Sequence, residues 1–362
     1  MLMTILIYTI ICIICIYFTT AILIFVYGKK KVNIKKDYSY RPTVTVFIPT
    51  YNEEKYIARK LDEILSQTYP VDEILVLDCS EDRTPEIVAE YSRKHQNIRL
   101  VRQHARIGNA RTLNEAIELA KGEIFIKTDV DTCLLYNNAL REIVACFADP
   151  KIGAVTGTRI NNRLDIEDKY TKFLTMIQVA ESNIDSILIG NSTSLLAFRR
   201  EIMEKVDPES MAEDTEEVIR IRRKGYRAVI DPSVVSEEEI PTDLRKRRLQ
   251  KDRRAEGIIR VLFKNKDMLF NPRYGKYGMI VLPLEFFILV ISPFLSLIFI
   301  SSLLYIMALY YPLLSIFTLA SIVVPFVTKR TLLSAIIDVN ISGLIATIRA
   351  LKKPEPLWKK VR

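Results

Sequence analysis

Asp129-Val130-Asp131 closes the apolar run EIFIK, residues 123–127. Two carboxylates two residues apart at a strand end can hold a hard divalent cation, alone or together with a bound diphosphate. The same pair also suits a plain solvated strand end. Asp78 ends the run DEILVLD in the same way. It reads either as a turn or capping residue or as a contact to a nucleobase or ribose. In MAEDTEEVIRIRRKGY, residues 211–226, Glu213, Asp214, Glu216 and Glu217 crowd the start of a helix. Acids there suit the helix dipole, and one of them can act as a general base. Downstream lies a basic run, TDLRKRRLQKDRRAEG, residues 242–257. Such a run meets nucleic acid, a membrane surface or a bound phosphate. It holds no aromatic residue to stack on bases, so nucleic acid is not expected as a partner.

These groups need a scaffold that brings them together. TVTVFIP (43–49), DEILVLD (72–78), NIRLVR (97–102) and EIFIKTD (123–129) read as strands. Between them, EEKYIARKLDEILSQ (53–67), TPEIVAEYSRKH (84–95) and NARTLNEAIELAKG (109–122) read as helices. The first aligns Ile57, Leu61, Ile64 and Leu65 on one face. The second has Pro85 in its first turn, and the third ends at Gly122. Strand and helix alternate with short connections, which predicts an α/β domain: a parallel sheet with helices on both faces. In such sheets ligands bind outside the carboxyl ends of the strands. Residues 49–53, 78–80 and 129–131 all fall there.

Taken in order, the segments resemble family 2 glycosyltransferases of the GT-A fold, in their membrane-integrated branch. VFIPTYNEE is similar to the family's PxYNE opening, VLDCSEDRT to its nucleotide-binding segment, and GNARTLNEA to GKxxALN. TDVD is similar to its DxD, LLAFRREIME to its FRRE segment, AEDTEE to the TED helix, and LQKDRRAEG to QxxRW. The resemblance covers about residues 42–270 and implies a Rossmann-like, mixed but mainly parallel sheet. It also implies a nucleotide-sugar donor and an inverting displacement. Carried over, Pro49, Tyr51, Glu53, Asp78, Asn114, Asp129, Gln250 and Arg253 would face the donor. Asp129 and Asp131 would bind Mg2+ or Mn2+, Asp214 would be the base, and Glu213 and Arg254 would lie on the acceptor side. Three positions depart from the family pattern. Ala212 replaces the Thr of TED, Asn109 replaces the usual Lys with Arg106 supplying its charge, and Arg254 stands where an aromatic is expected. The last departure favours a short-product transferase over a processive polysaccharide synthase. A polyprenyl-phosphate sugar transferase and a non-catalytic scaffold subunit are the other readings. UDP-sugars are the favoured donors, with GDP-sugars open.

The 362-residue chain is 49% hydrophobic yet 26% charged, and the two classes are segregated. Residues 1–27 carry no charge, long enough for a helix to cross about 30 Å of hydrocarbon. The basic stretch 28–41 then marks the cytoplasmic side. This predicts an anchor (1–27), a linker (28–41), a cytoplasmic catalytic domain (42–270) and two further membrane helices (271–330) turning near Leu309–Pro312. An interfacial or re-entrant helix with a basic tail (331–362) closes the chain, and Trp358 suits the headgroup zone. The protein is thus expected in the cell membrane, multi-pass, with lipids as partners. The net charge of +9 suits an anionic membrane surface. Five scattered cysteines form no paired framework, and two histidines leave little for a histidine metal site.

Overall fold

The computed structural model of the chain describes residues 2–160, 166–188, 195–238, 244–316, 318–320 and 332–353. For residues 2, 166–170, 238, 244–247 and 332–336 it describes the backbone alone. The tail with Trp358, the end of the expected membrane region at Thr328–Arg330 and the side chains of Arg245, Lys246 and Arg247 lie outside this description.

Three strand–helix units and a fourth strand open the domain. They are β1 (Val44–Thr50) with α2 (Ile57–Leu65), β2 (Glu73–Asp78) with α3 (Thr84–Lys94), β3 (Ile98–Arg102) with α4 (Asn109–Leu119), and then β4 (Ile124–Thr128). Each expected element is present. Two boundaries differ for physical reasons. Asn52 takes a positive φ of 56°, so the chain turns through Glu53 before α2 begins. Gly122 is not a helix stop: a Cβ there would lie 2.4 Å from the Thr45 nitrogen, so the glycine lets the turn into β4 approach β1. The short β5 (Thr132–Leu134), α5 (Ala139–Cys146), β6 (Ile152–Ile160), α6 (Ile166–Ile184) and β7 (Leu195–Arg199) follow, then α7 (Glu213–Arg223), β8 (Arg227–Glu238) and α8 (Leu244–Lys264).

The strands form one sheet in the order β3-β2-β1-β4-β7-β6-β8-β5. β3, β2, β1 and β4 run parallel, while β7 pairs antiparallel with both β4 and β6. The sheet is therefore mixed, as the family resemblance implied. The chain leaves β1 toward β2 and β3, then returns to place β4 on the other side of β1. That reversal is the topological switch point where open sheets bind ligands. Alternation along β1 sends Val46 and Ile48 to one face and Phe47 to the other. Val46 and Ile48 pack with Ile57, Leu61 and Val88 of α2 and α3. Phe47 packs with Leu113, Phe125, Val218 and Ile221, on the side of α4 and α7. Each such fully buried side chain contributes roughly 1.5–3 kcal/mol.

Among the described residues, two helices are long and apolar enough to cross a membrane. The first, α1 (Leu2–Leu23), continues through a π-helical turn to Gly28, giving the apolar run Met3–Gly28. The second run, Tyr277–Tyr310, spans 34 residues and includes α9 (Leu282–Phe286) and α10 (Ser292–Tyr310). Tyr17 and Ser292 share a hydrogen bond of 3.0 Å between the two runs. The helix breaks at Tyr311 (φ −145°, ψ 68°), beside Pro312, where the turn was expected. Helix resumes at residues 312–316 and 318–320, and the rest of the expected third span lies outside the described residues.

The last helix, α11 (Leu332–Ala350), packs along α8. Arg248 joins them, pairing with Asp252 at 2.9 Å and with Asp338, and Ser342 donates to Asp252 at 2.8 Å. Arg248 thus ties two helices together, although its sequence neighbourhood suggested a lipid-facing charge.

Candidate active site

A cleft of about 320 Å³ opens at the carboxyl ends of β1 and β4 and is walled by the start of α7 and one side of α8. Pro49, Tyr51, Glu53, Asp129, Asp131, Glu213, Asp214, Gln250, Arg253 and Arg254 all line it. Four separated stretches of sequence therefore meet at the switch point. Gly108, with φ +93°, turns the chain into α4 along the cleft wall. It carries Arg106, whose guanidinium lies 4.5 Å from the Tyr51 ring centroid. Arg106 thus brings positive charge to the segment that lacks the usual lysine.

The buried half of the cleft is acidic. Glu213 and Asp214 form the first turn of α7 and are 7% and 8% exposed. Lys127 of β4, equally buried, donates to Asp214 Oδ1 at 2.7 Å and to Glu213 Oε1 at 3.0 Å. The three groups titrate differently. Burial raises the Asp214 pKa to about 6, with the Glu213 charge helping and Lys127 opposing. Burial also pushes Glu213 up, but Lys127 and a backbone hydrogen bond outweigh it and hold this carboxyl below its usual range. Burial pulls Lys127 down, yet Asp214, Glu213 and Asp129 together hold it cationic. One acid is thus poised near neutrality and its neighbour stays ionised, a division that marks acid–base sites.

The rim is different. Asp129 and Asp131 are half-buried and flank the turn between β4 and β5. Lys60 and Glu63 of α2 hold that turn from below. Fully buried Lys60 donates to the Thr132 carbonyl and pairs with Glu63 at 2.7 Å, and Glu63 accepts from the Leu134 nitrogen at 3.0 Å. Among the described residues no group of three or more His, Cys, Asp or Glu could hold a metal ion. Two carboxylates completed by substrate phosphate and water are the usual donor set for Mg2+, so the pair fits a cation that arrives with a diphosphate. Arg253 supplies a fixed positive charge close by. Burial lowers its pKa to about 10, against the pull of Glu213, and it stays charged at neutral pH.

Two expected donor contacts sit elsewhere. Asp78 is fully buried behind the cleft wall. Its carboxylate accepts from Thr50 Oγ1 at 2.7 Å and the Ser80 nitrogen at 3.2 Å, and pairs with Arg102. Ser80 in turn accepts from the Asn52 nitrogen at 2.7 Å, and the Glu81 nitrogen donates to Asn52 at 2.9 Å. Asp78 therefore pins the two loops that present Tyr51, Glu53 and Cys79. Asn114 uses both amide atoms on the Val206 backbone, at 2.9 and 2.8 Å, and ties α4 to the chain leading into α7. Both residues shape the wall and neither lines the cleft. Ala212, in the place of the usual threonine, is a packing residue. A Cβ at Gly257 of α8 would lie 3.0 Å from the Ala212 Cβ, so the two helices meet there closely.

Lys127 is the cleft residue that the sequence reading passed over. Its signal was a lysine inside the otherwise apolar strand EIFIKTD, which needs a buried partner.

Comparison with known proteins agrees with this fold. Residues 45–207 match the family model of glycosyl transferase family 2. The chain is similar to a probable glycosyltransferase, YdaM, of Bacillus subtilis, with 30% identity over 241 residues, covering 62% of this chain and 57% of that protein. It is also similar to the poly-beta-1,6-N-acetyl-D-glucosamine synthase of Staphylococcus epidermidis, with 26% identity over 242 residues, covering 64% and 58%. The hyaluronan synthase of Streptococcus pyogenes is 28% identical over 187 residues, covering 46% and 42%. The chain spans about half the length of these curated relatives. Among solved structures it superposes on a mannosyltransferase from Pyrobaculum calidifontis in complex with GDP-Man and Mn2+. The TM-score is 0.81 at 27% identity, over 98% of this chain and 100% of that one. Through its α/β domain, this chain is similar to glycosyltransferase family 2.

Proposed function

We propose that this protein is a membrane-bound inverting glycosyltransferase. It moves a sugar from a nucleotide-sugar donor to a hydroxyl of a lipid-linked or glycan acceptor at the cytoplasmic face. The observation that carries the reading is one cleft lined by a poised buried carboxylate, Asp214, by a rim pair, Asp129 and Asp131, and by Arg253 of α8. The donor's diphosphate lies toward Asp129, Asp131, Gln250 and Arg253. Asp129 and Asp131 would hold Mg2+ or Mn2+, which when bound stabilises negative charge on the leaving phosphate. Arg253 adds hydrogen bonds to the same oxygens, and its planar fork suits phosphate. Tyr51 and Arg106 flank the donor's entrance. The acceptor oxygen bonds the anomeric carbon as the bond to the diphosphate breaks, and its proton passes to Asp214. One base and one displacement give inversion.

The solved mannosyltransferase resembles this chain along nearly its whole length, which makes GDP-mannose the first donor to test, ahead of the UDP-sugars favoured from sequence. The membrane reading draws on the two apolar runs, Met3–Gly28 and Tyr277–Tyr310. Large side chains such as Phe18, Phe25, Tyr305 and Leu309 point outward from them. A surface of that kind is costly in water and natural in lipid. A second reading, a processive polysaccharide synthase, is favoured by the similarity to two polymer synthases. Arg254 at the expected aromatic position argues for one or few additions. Membranes containing the protein, incubated with labelled GDP-mannose and a panel of UDP-sugars plus Mn2+, decide between them. Mass spectrometry of the product is expected to show a lipid carrying one or a few added hexoses. A ladder of long chains supports the second reading, and no transfer from any donor sinks both.

A further inference from the structure

β4 sends Phe125 and Lys127 toward the same side of the sheet, because strand side chains alternate. Phe125 packs there with Phe47, Val218 and Ile221. Lys127 thus carries its charge along an apolar face to the floor of the cleft, where it is 7% exposed. A charge this buried persists only with partners, and its ammonium has two, Asp214 and Glu213.

We propose that Lys127 is a positioning residue for the transfer step: it fixes the Asp214 carboxylate on the cleft wall and, through Glu213, stays charge-compensated when Asp214 takes the acceptor proton. This rests on Asp214 being the base. The logic is one of counting charges. At rest, two carboxylates share one cation. When Asp214 accepts the proton it becomes neutral, and Lys127 is left paired with Glu213. With no lysine, two adjacent buried carboxylates repel, one holds a proton permanently, and the base is lost before the reaction starts. With no Glu213, protonating Asp214 would strand a buried ammonium, so Asp214 would be a weaker base. The split behaviour of the two acids, Asp214 near 6 and Glu213 held low, is what this division of roles requires. Glu213 and Asp214 are neighbours at one helix start, yet the first keeps the cation and the second moves the proton.

The test uses the full-length protein in detergent with Mn2+. It follows nucleoside diphosphate release from GDP-mannose, or from whichever donor of the panel the wild-type enzyme turns over. Lys127→Met is expected to lower kcat about 100-fold, with donor KM within about threefold of wild type. Lys127→Arg keeps a cation on both carboxylates and is expected to recover kcat to within about tenfold of wild type. Thermal unfolding and GDP binding show whether Lys127→Met folds. Should it not, Glu213→Gln carries the test, with kcat about tenfold down at unchanged donor KM. The proposal is overturned if Lys127→Met keeps kcat within threefold of wild type. It is equally overturned if the Met and Arg variants lose activity alike with a raised donor KM. Asp214→Asn is run alongside: wild-type turnover by that variant sinks the base reading itself, whereas an inactive Asp214→Asn beside a fully active Lys127→Met sinks only the role of Lys127.

Discussion

The cleft contains two acidic pairs, and they are built in opposite ways. Glu213 and Asp214 are adjacent in sequence, start a helix, are almost fully buried and share an internal lysine. Asp129 and Asp131 are two residues apart, flank a turn at a strand end and stay half-buried at the rim. The first pair has its cation built into the sheet beneath it. The second lines the open side of the cleft, where the proposed reaction brings substrate phosphates and their cation. Burial with an internal counter-charge tunes a proton acceptor, whereas partial exposure leaves carboxylate oxygens open to a cation arriving from solvent. The two halves of one reaction thus ask for two kinds of acidic site.

Substitution of one acid from each pair separates them. Asp214→Asn is expected to reduce transfer roughly 1,000-fold, since a positioned base contributes about 10²–10⁴-fold, while nucleotide binding is retained. A binding assay with the nucleoside diphosphate and Mn2+, beside labelled-sugar transfer, reads both. Comparable loss of binding would mean the buried pair also holds the donor and would collapse the contrast. Asp131→Asn is expected to behave in the reverse sense. The Mn2+ concentration for half-maximal rate rises about tenfold, as loss of one carboxylate oxygen weakens a site with few protein ligands, and saturating Mn2+ restores most of the rate. Chelation by EDTA is expected to abolish wild-type activity, and added Mn2+ to return it. Full activity in EDTA would remove the cation from the rim pair altogether.

Much of this contrast was legible beforehand, and the illegible part has a common cause. The strong period of β1 to β4 and α2 to α4 made the parallel half of the sheet readable, and with it the rim on which Asp129 and Asp131 sit. The antiparallel insertion of β7 was not readable from periodicity. LLAF is a short apolar run, and such a run does not state which way it pairs. The same limit governs the site. Asp78 and Asn114 lie on the expected elements, but which way a side chain turns depends on partners such as Arg102 and Val206. Lys127 finds its acids 86 and 87 residues away, and Arg248 finds Asp338 90 residues away. Sequence showed which residues could carry charge; the fold decided which charges meet.

Glu217 supplies the control for the buried pair. It lies one turn beyond Glu213 on α7 and is fully buried, and its Oε2 has no hydrogen-bond partner among the described residues. It receives only a weak hydrogen bond from the Glu204 nitrogen at 3.4 Å. Burial lifts its pKa to about 8, so at neutral pH it is largely a neutral acid in the folded protein. In the unfolded chain it ionises near 4.5. The folded state therefore binds one more proton between those two values, and stability falls as pH rises through that window. Below pH 4.5 Glu217 carries no penalty, and above pH 8 the penalty is complete, on the order of 2 kcal/mol after allowance for relaxation. Glu217→Gln has no proton to lose and so is expected to unfold at a higher temperature than wild type at pH 9, by a few degrees. The difference should shrink toward pH 5, with transfer activity unchanged. Thermal melts of both proteins from pH 5 to 9 measure it. A constant offset across that range would mean Glu217 is already ionised in the fold. A buried carboxylate with no hydrogen-bonded lysine, and only the more distant charges of Arg220 and Lys224, would then be tolerated on this helix, and Lys127 would lose its claim to be what makes the neighbouring pair viable.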